Sequence, residues 1–351
     1  MSRPCALIAG ASGVVGRAVV RTLAESNAWD VVPLSRSPSS GTNPRAIAVD
    51  LSSPADTRDR LSTLTDVTHL IYCARATHTM AQRESVDDNV DMLRNLLDAL
   101  EQSSPRLAHV HIVQGSKVYG SDLGPYRTPA KESDPRVSPS NWYYAQEDLL
   151  VARSAGKAWT WSASRPHGVC EGRQAIARSI ANMVGVYAAV LKDLGQPLAF
   201  PGSQAGFDAL YQSVDSDLLA RAIAFIVTTP SCANRVFNVT NGDYMRWRNL
   251  WPAFAAFFDM EPGPVEDATT LAGFMAGKGA QWDAVVARHG LLPRPLSQAG
   301  VWSYADFNLR RGYDVMSSTI ALRQAGFAEC MDTERMFLDH LQRFREQRAL
   351  P

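Results

Sequence analysis

The segment Gly10-Ala11-Ser12-Gly13-Val14-Val15-Gly16 constrains this chain more than any other. It follows a short apolar run, Cys5–Ala9, and opens the apolar-periodic stretch Arg17–Leu23. Strand, glycine turn and helix therefore stand in that order at the head of the sequence. Glycines at these spacings let the backbone turn tightly and approach a pyrophosphate. The helix after the turn offers unpaired N–H groups and a positive dipole end. A glycine-rich string alone is weak, but here the flanking strand and helix supply the context the motif requires.

The chain has 351 residues, enough for a large core and for two subdomains. Lys+Arg and Asp+Glu are both 35, so no basic field favours nucleic acid or an anionic membrane surface. No apolar run reaches spanning length, and Met1-Ser2-Arg3-Pro4 leads directly into the first strand without a signal-peptide pattern. A cytoplasmic location is expected. The five cysteines (Cys5, Cys73, Cys170, Cys232 and Cys330) are dispersed, without metal-ligand spacing, and each lies in or beside an apolar run. They read as buried thiols rather than as disulfides, nucleophiles or metal ligands.

Apolar β-rich runs alternate with helical patterns through the first two thirds. Strands are expected at 30–34, 46–49, 69–74, 109–113, 159–164 and 236–239. The stretch from Val86 to Leu100 carries Val90, Leu93, Leu97 and Leu100 on one helical face. This alternation predicts an α/β fold, a Rossmann-type doubly wound parallel sheet with right-handed crossovers. Loops are expected at 37–44, 120–139 and 261–265, where Pro and Gly cluster. Helices are expected at 173–194, 245–258, 282–289 and 317–324, without alternating strands. The expected division is a dinucleotide-binding core at 1–170, with a strand returning near 235–240, and a smaller, mostly helical substrate lobe at 171–351. Ligands of such sheets lie outside the carboxyl ends of the strands.

The end of the second strand distinguishes NAD from NADP(H). An acid there would bind the ribose 2′-OH, whereas an arginine suits a 2′-phosphate. Leu34-Ser35-Arg36-Ser37 offers Arg36 and two hydroxyls, and Asp30 lies at the wrong end of the strand. NADP(H) is therefore the expected cofactor, with a charge-assisted pair at Arg36. Asp50 is placed to accept from the adenine amino group, or else to stand at a helix N-terminus. The other expected cofactor contacts are Gly10, Ser12, Gly13, Val14, Val15 and Gly16 in the turn. Later in the chain come Leu51, Cys73, Ala74, Gln114, Tyr143, Pro166 and the main chain of Val169.

Short-chain dehydrogenases often carry a Tyr followed four residues later by a Lys that lowers its pKa. In Asn141-Trp142-Tyr143-Tyr144-Ala145-Gln146-Glu147-Asp148 the positions four past the two tyrosines are Glu147 and Asp148. A carboxylate there would raise a phenol pKa. The loop after the fifth strand, Gln114-Gly115-Ser116-Lys117-Val118-Tyr119-Gly120, offers Lys117 instead.

With these segments in view, the chain resembles the progesterone 5β-reductase and iridoid synthase-like enzymes, an atypical branch of the extended short-chain dehydrogenases. The resemblance runs through Lys117-x-Tyr119, Trp142-Tyr143-Tyr144-x-x-Glu147-Asp148, Trp161-Ser162-x-x-Arg165-Pro166 and Tyr187-Ala188-Ala189. It continues in Phe237–Asp243, Trp247-x-x-x-Trp251, and Gly277-Lys278 with Trp282. It implies that Tyr143 is the catalytic tyrosine and Lys117 its partner. It also implies NADPH-dependent reduction of the C=C bond of an α,β-unsaturated carbonyl, an enone or enal. Hydride would go to the β-carbon, and Tyr143 with Lys117 would stabilise the enolate oxygen, a contribution of about 3 kcal/mol in comparable sites. No metal or flavin is required.

The sequence departs from the family after the fourth strand. Tyr72-Cys73-Ala74-Arg75-Ala76 stands where plant members carry a tryptophan. Arg75 is thus a candidate substrate-pocket residue, suited to a differently shaped or anionic substrate, and Tyr119, Trp302 and Tyr304 are further candidates. His167 reads as a loop residue, His78 as solvent-facing and His111 as a strand filler. Carbonyl (1,2-) reduction on the same scaffold is the rival enzyme reading, and a non-catalytic NADP(H)-binding regulator the rival class. A homodimer is compatible with the sequence.

Overall fold

The computed structural model describes residues 3–37, 43–77, 84–137 and 141–351. The chain forms two compact units. The first comprises Met1–His167, Ser216–Val239 and Ser318–Glu329; the second comprises Gly168–Asp215, Thr240–Ser317 and Cys330–Pro351. The 216–239 and 318–329 segments, which the sequence assigns largely to the lobe, thus pack with the N-terminal core.

The first unit is built on one parallel sheet. Its strands are β1 (Cys5–Ala9), β2 (Asp30–Ser35), β3 (Ile47–Ala48), β4 (His69–Tyr72), β5 (His109–Val113) and β6 (Thr160–Pro166), with a seventh at Arg235–Val239. Their spatial order is the Arg235–Val239 strand, then β6, β5, β4, β1, β2 and β3. Every neighbouring pair is parallel. The order reverses between β1 and β4, and at such a switch point the loops leaving two carboxyl ends diverge and open a crevice. The Rossmann-type sheet expected from the alternating pattern is present.

Helices of the first unit include α1 (Val14–Glu25), α2 (Pro54–Leu61), α3 (Val86–Ser103) and α4 (Trp142–Ser154). Leu93, Leu96, Leu97 and Leu100 of α3 are buried against Leu70, Val110, Ile112 and Leu150 in the main apolar core. The helical stripe read from the sequence therefore faces the sheet. Caps set the helix starts: Ser53 accepts from the Asp56 N–H and Ser85 from the Asp88 N–H.

The second unit is richer in strand than the sequence suggests. Leu198–Phe200 pairs with Pro262–Val265, a segment expected to be a loop, and Val169–Cys170 pairs with Val214–Asp215. These strands are two to four residues long, too short to show alternation. Its central helix, Ile180–Asp193, is buried on nearly every side. It starts seven residues later than the apolar pattern predicts, where Ser179 caps it by accepting from the Asn182 N–H. Three cysteines are buried as expected, Cys73 is half-buried, and Cys330 is exposed, contrary to expectation. Among the described residues, no helix is long and apolar enough to cross a membrane.

Candidate active site

The glycine turn occupies the carboxyl end of β1. Gly10 has φ +79°, a left-handed conformation that favours glycine. A Cβ on it would stand 2.7 Å from the Ala74 nitrogen, so the loop leaving β4 presses directly on the turn. A Cβ on Gly16 would fall 2.2 Å from the Gly10 carbonyl oxygen, so the first turn of α1 packs against main chain. Unlike α2 and α3, α1 has no side-chain cap and no acid in its first turn. An exposed Gly13, bare amide donors and the positive helix end suit a diphosphate.

Arg36 follows β2 on the surface, and its Nη1 donates to the Thr77 hydroxyl (3.0 Å). Ser35 is buried and Ser37 exposed beside it. This donor set, with no acid from Leu34 to Ser37, fits a 2′-phosphate. Asp50 follows β3, and one carboxylate oxygen accepts from both the main-chain N–H (3.0 Å) and the hydroxyl (2.7 Å) of Ser52. These bonds hold its pKa below the usual value. The cap of α2 is Ser53, so Asp50 is not that helix's N-terminal acid. Leu51 is buried, and its carbonyl accepts from Asn95 (2.9 Å). The Cys73 N–H donates to the Ala9 carbonyl (2.9 Å), holding the β4 loop beside the glycine turn. Burial pushes the Cys73 thiol up to about 12, so it is a neutral wall and not a nucleophile.

At the carboxyl end of β5, Gly115 leads into a 3-10 turn at Ser116–Tyr119 that carries Lys117. The start of α4 lies beside it. Asn141 caps α4 by accepting from the Tyr143 (3.0 Å) and Tyr144 (3.4 Å) N–H groups, while its Nδ2 donates to the Lys117 carbonyl (3.1 Å). One side chain thus ties the tyrosine helix to the lysine turn. A Cβ on Gly115 would stand 3.2 Å from the Tyr143 hydroxyl, which therefore overlies the bare glycine at the strand end. Tyr144 points elsewhere. Its buried hydroxyl donates to the Val118 carbonyl and accepts from the Val137 N–H (2.9 Å). The two adjacent tyrosines, equal candidates by spacing, are distinguished by this geometry.

Glu147, in the place of the usual lysine, is turned away from solvent and fully engaged. Its Oε2 accepts from Arg165 Nη2 (2.9 Å) and Gln114 Nε2 (3.0 Å), and its Oε1 pairs with Arg136 (3.2 Å). The carboxylate four residues after Tyr143 is therefore paired with two guanidinium groups. Arg165 is the hub: it also donates to Gln114 Oε1 (2.8 Å) and to the Tyr119 hydroxyl (3.2 Å). Gln114 in turn donates to the Tyr143 carbonyl (3.1 Å). The Gln114 side chain is thus used within the protein, and its main-chain N–H donates to the Ser164 carbonyl (2.8 Å). Tyr119 is likewise internal. It is buried, it donates to Asn238 (2.7 Å), and burial pushes its pKa up to about 12. It supports Arg165 rather than lining a pocket.

Lys117 Nζ lies 2.7 Å from Glu84 Oε2, and Arg75 Nη1 lies 3.3 Å from Glu84 Oε1. Glu84 has no signature in the sequence, because it stands alone before a helix cap. Pro166 ends β6, with its carbonyl near Gly115. His167 and His111 are buried, and His78 lies outside the described residues. Val169, Trp302 and Tyr304 belong to the second unit, where Val169 pairs with Val214. The Trp302 ring covers Gly300, and the Arg178 guanidinium lies 4.3 Å over the Tyr304 ring.

A family model described as a PRISE-like Rossmann-fold domain matches residues 49–351. A 3-oxo-Delta(4,5)-steroid 5-beta-reductase of Arabidopsis thaliana is 31% identical, the match covering 99% of this chain and 93% of that protein. An (S)-8-oxocitronellyl enol synthase of Antirrhinum majus is 29% identical, covering 99% and 92%. Among solved structures, a short-chain dehydrogenase/reductase superfamily protein of Agrobacterium tumefaciens with bound NAD superposes with a TM-score of 0.68. It is 15% identical, and the match covers 98% of each chain. That similarity supports the fold.

Proposed function

The chain belongs to the PRISE-like Rossmann-fold family, and on that premise we propose that it is an NADPH-dependent oxidoreductase of the short-chain dehydrogenase/reductase superfamily that reduces the C=C bond of an enone or enal. The observation that carries this reading is the Tyr143 hydroxyl over Gly115, beside the turn bearing Lys117, with no lysine four residues on.

The glycine turn and the open end of α1 would hold the diphosphate, and Arg36 with Ser35 and Ser37 the 2′-phosphate. When bound, NADPH would supply hydride to the substrate β-carbon. Reduction at that carbon moves negative charge to the carbonyl oxygen, and the Tyr143 O–H donates to that oxygen. Donors held in place before the charge develops need no reorganisation, which is why such a contact contributes about 3 kcal/mol. Lys117 adds positive charge at the same end of the sheet. The Arg165–Glu147–Gln114 cluster fixes α4 through the Tyr143 carbonyl, so the phenol is oriented by buried bonds. The α-carbon then takes its proton from solvent or through the tyrosine.

The test is NADPH consumption over a panel of small enones and enals, with product analysis, for the wild type, Tyr143→Phe and Lys117→Ala. Saturated carbonyl products and large losses in both variants are expected. Allylic alcohol products would favour carbonyl reduction, and binding of NADPH without turnover of any panel member would favour the regulator. Full rates in both variants would overturn the catalytic assignment. Arg36→Ala should weaken NADPH far more than NADH. On the same reading the protein works in the cytoplasm on small molecules, and light scattering reads whether it is a homodimer.

A further inference from the structure

Glu84 is not used by the mechanism above, yet it is far more enclosed than either of the cations it binds. Its carboxylate is divided between two cations, Oε2 on Lys117 (2.7 Å) and Oε1 on Arg75 (3.3 Å). The Glu84 side chain is 11% exposed, against 35% for Lys117 and 37% for Arg75, so both cations reach inward to it. Its main chain is pinned as well. Ser85, the next residue, caps α3, and Asn89 Nδ2 donates to the Ser85 carbonyl (2.7 Å). Asn89 Oδ1 accepts from the Ala76 N–H (2.9 Å), which ties the loop bearing Arg75 to the head of the same helix. The loop after β4, the head of α3 and the turn after β5 therefore converge on one carboxylate.

Lysine carries a point charge on a flexible four-carbon stem, and it holds a position only when something fixes the ammonium. Arg75 and Lys117 would also repel one another without an anion between them. We propose that Glu84 is a positioning residue for the reduction. It fixes the ammonium of Lys117, whose turn follows the glycine under the Tyr143 hydroxyl at the carboxyl end of β5. By taking Arg75 on its other oxygen, it leaves one positive charge among these three side chains to face the developing enolate. Arg75 is therefore part of this clamp and not a free anchor for an anionic substrate. The inference rests on the proposed role of Lys117.

The experiment is a double-mutant cycle on the full chain with the best panel substrate, using Glu84→Gln, Lys117→Ala and both together. Glu84→Gln keeps the shape and removes the charge. It is expected to lower kcat about tenfold, within the range of coupled neighbours, while KM for NADPH stays within about twofold. In the Lys117→Ala background the same change should have no further effect on kcat. Glu84→Asp, one methylene shorter, should give an intermediate loss, and it carries the cycle if Glu84→Gln does not fold. An unchanged or raised kcat in Glu84→Gln overturns the inference. So does an equal loss with and without Lys117, which is what a purely structural role would give. A full rate in Lys117→Ala alone would instead overturn the reading of Lys117.

Discussion

Tyr143 and Tyr144 show how a fold gives different surroundings to identical side chains. The Tyr144 hydroxyl is buried between the Val118 carbonyl and the Val137 N–H. Tyr144→Phe should therefore cost stability, about 1–2 kcal/mol by denaturant unfolding, for the buried groups left unpaired. It should retain much more activity than Tyr143→Phe; a greater loss in Tyr144→Phe would make Tyr144 the reacting tyrosine. Gly115 gives a sharper test. Its Cβ would stand 3.2 Å from the Tyr143 oxygen, tighter than ordinary van der Waals contact. Gly115→Ala should push the hydroxyl off its position and lower kcat roughly tenfold, since displacements well below 1 Å are felt in reacting geometry. The NADPH dissociation constant, measured by fluorescence, should change little. A normal kcat would mean that the hydroxyl need not lie over the strand end.

At the scale of elements, the start of α4 is joined to the turn after β5 by Asn141, which caps the helix and donates to the Lys117 carbonyl. Asn141→Ala should lower stability by about 1 kcal/mol for the cap and lower kcat through the loosened turn. Rescue of both by Asn141→Asp would leave only the cap to explain the effect, because the aspartate cannot donate to Lys117. The tyrosine motif is legible in the sequence; this bond is not, because Lys117 lies 24 positions before Asn141. The same limit explains Glu147. Its position in the tyrosine motif is visible by counting, but its compensation by Arg165 and Arg136 depends on strands and loops brought together by the fold. The short strands of the second unit escape sequence reading for a different reason, being only two to four residues long.

In the middle of the first unit's sheet, a buried polar ladder joins β5 to β6. His109 bonds Thr160 (2.8 Å) and Ser162 (2.7 Å), and His111 bonds the same Ser162 (2.7 Å) and Ser164 (3.0 Å). Hydroxyls both donate and accept, so these bonds suit neutral rings of either tautomer, and burial away from water is what disfavours the charged rings. Burial holds His109 down to about 3 and His69 to about 4, and holds His111 well below its usual value. Groups depressed in this way bind fewer protons folded than unfolded. The stability they contribute is complete above the unfolded value near 6.5, and it falls as pH drops through 6.5 toward the folded values. The unfolding free energy should therefore decline from pH 7 to pH 4, by up to about 1.4 kcal/mol per pH unit for each histidine. His109→Gln should reduce that slope, and a slope unchanged by it would remove the ladder from the explanation.

Local order along the chain determined the fold class, the glycine turn, the Arg36 donor set and the two tyrosine candidates. Strand and helix periodicity, caps and turn glycines act over a few residues, so they can be read without a structure. Tertiary structure alone decided which tyrosine overlies Gly115, how Glu147 is neutralised, and why Lys117 and Arg75 meet on Glu84. Those outcomes depend on contacts between residues far apart in sequence, whose distances are set by strand order and register. The glycine turn shows both levels together: its sequence specifies a strand-to-helix bend, but only the neighbouring β4 strand brings Ala74 close enough to exclude a side chain at Gly10.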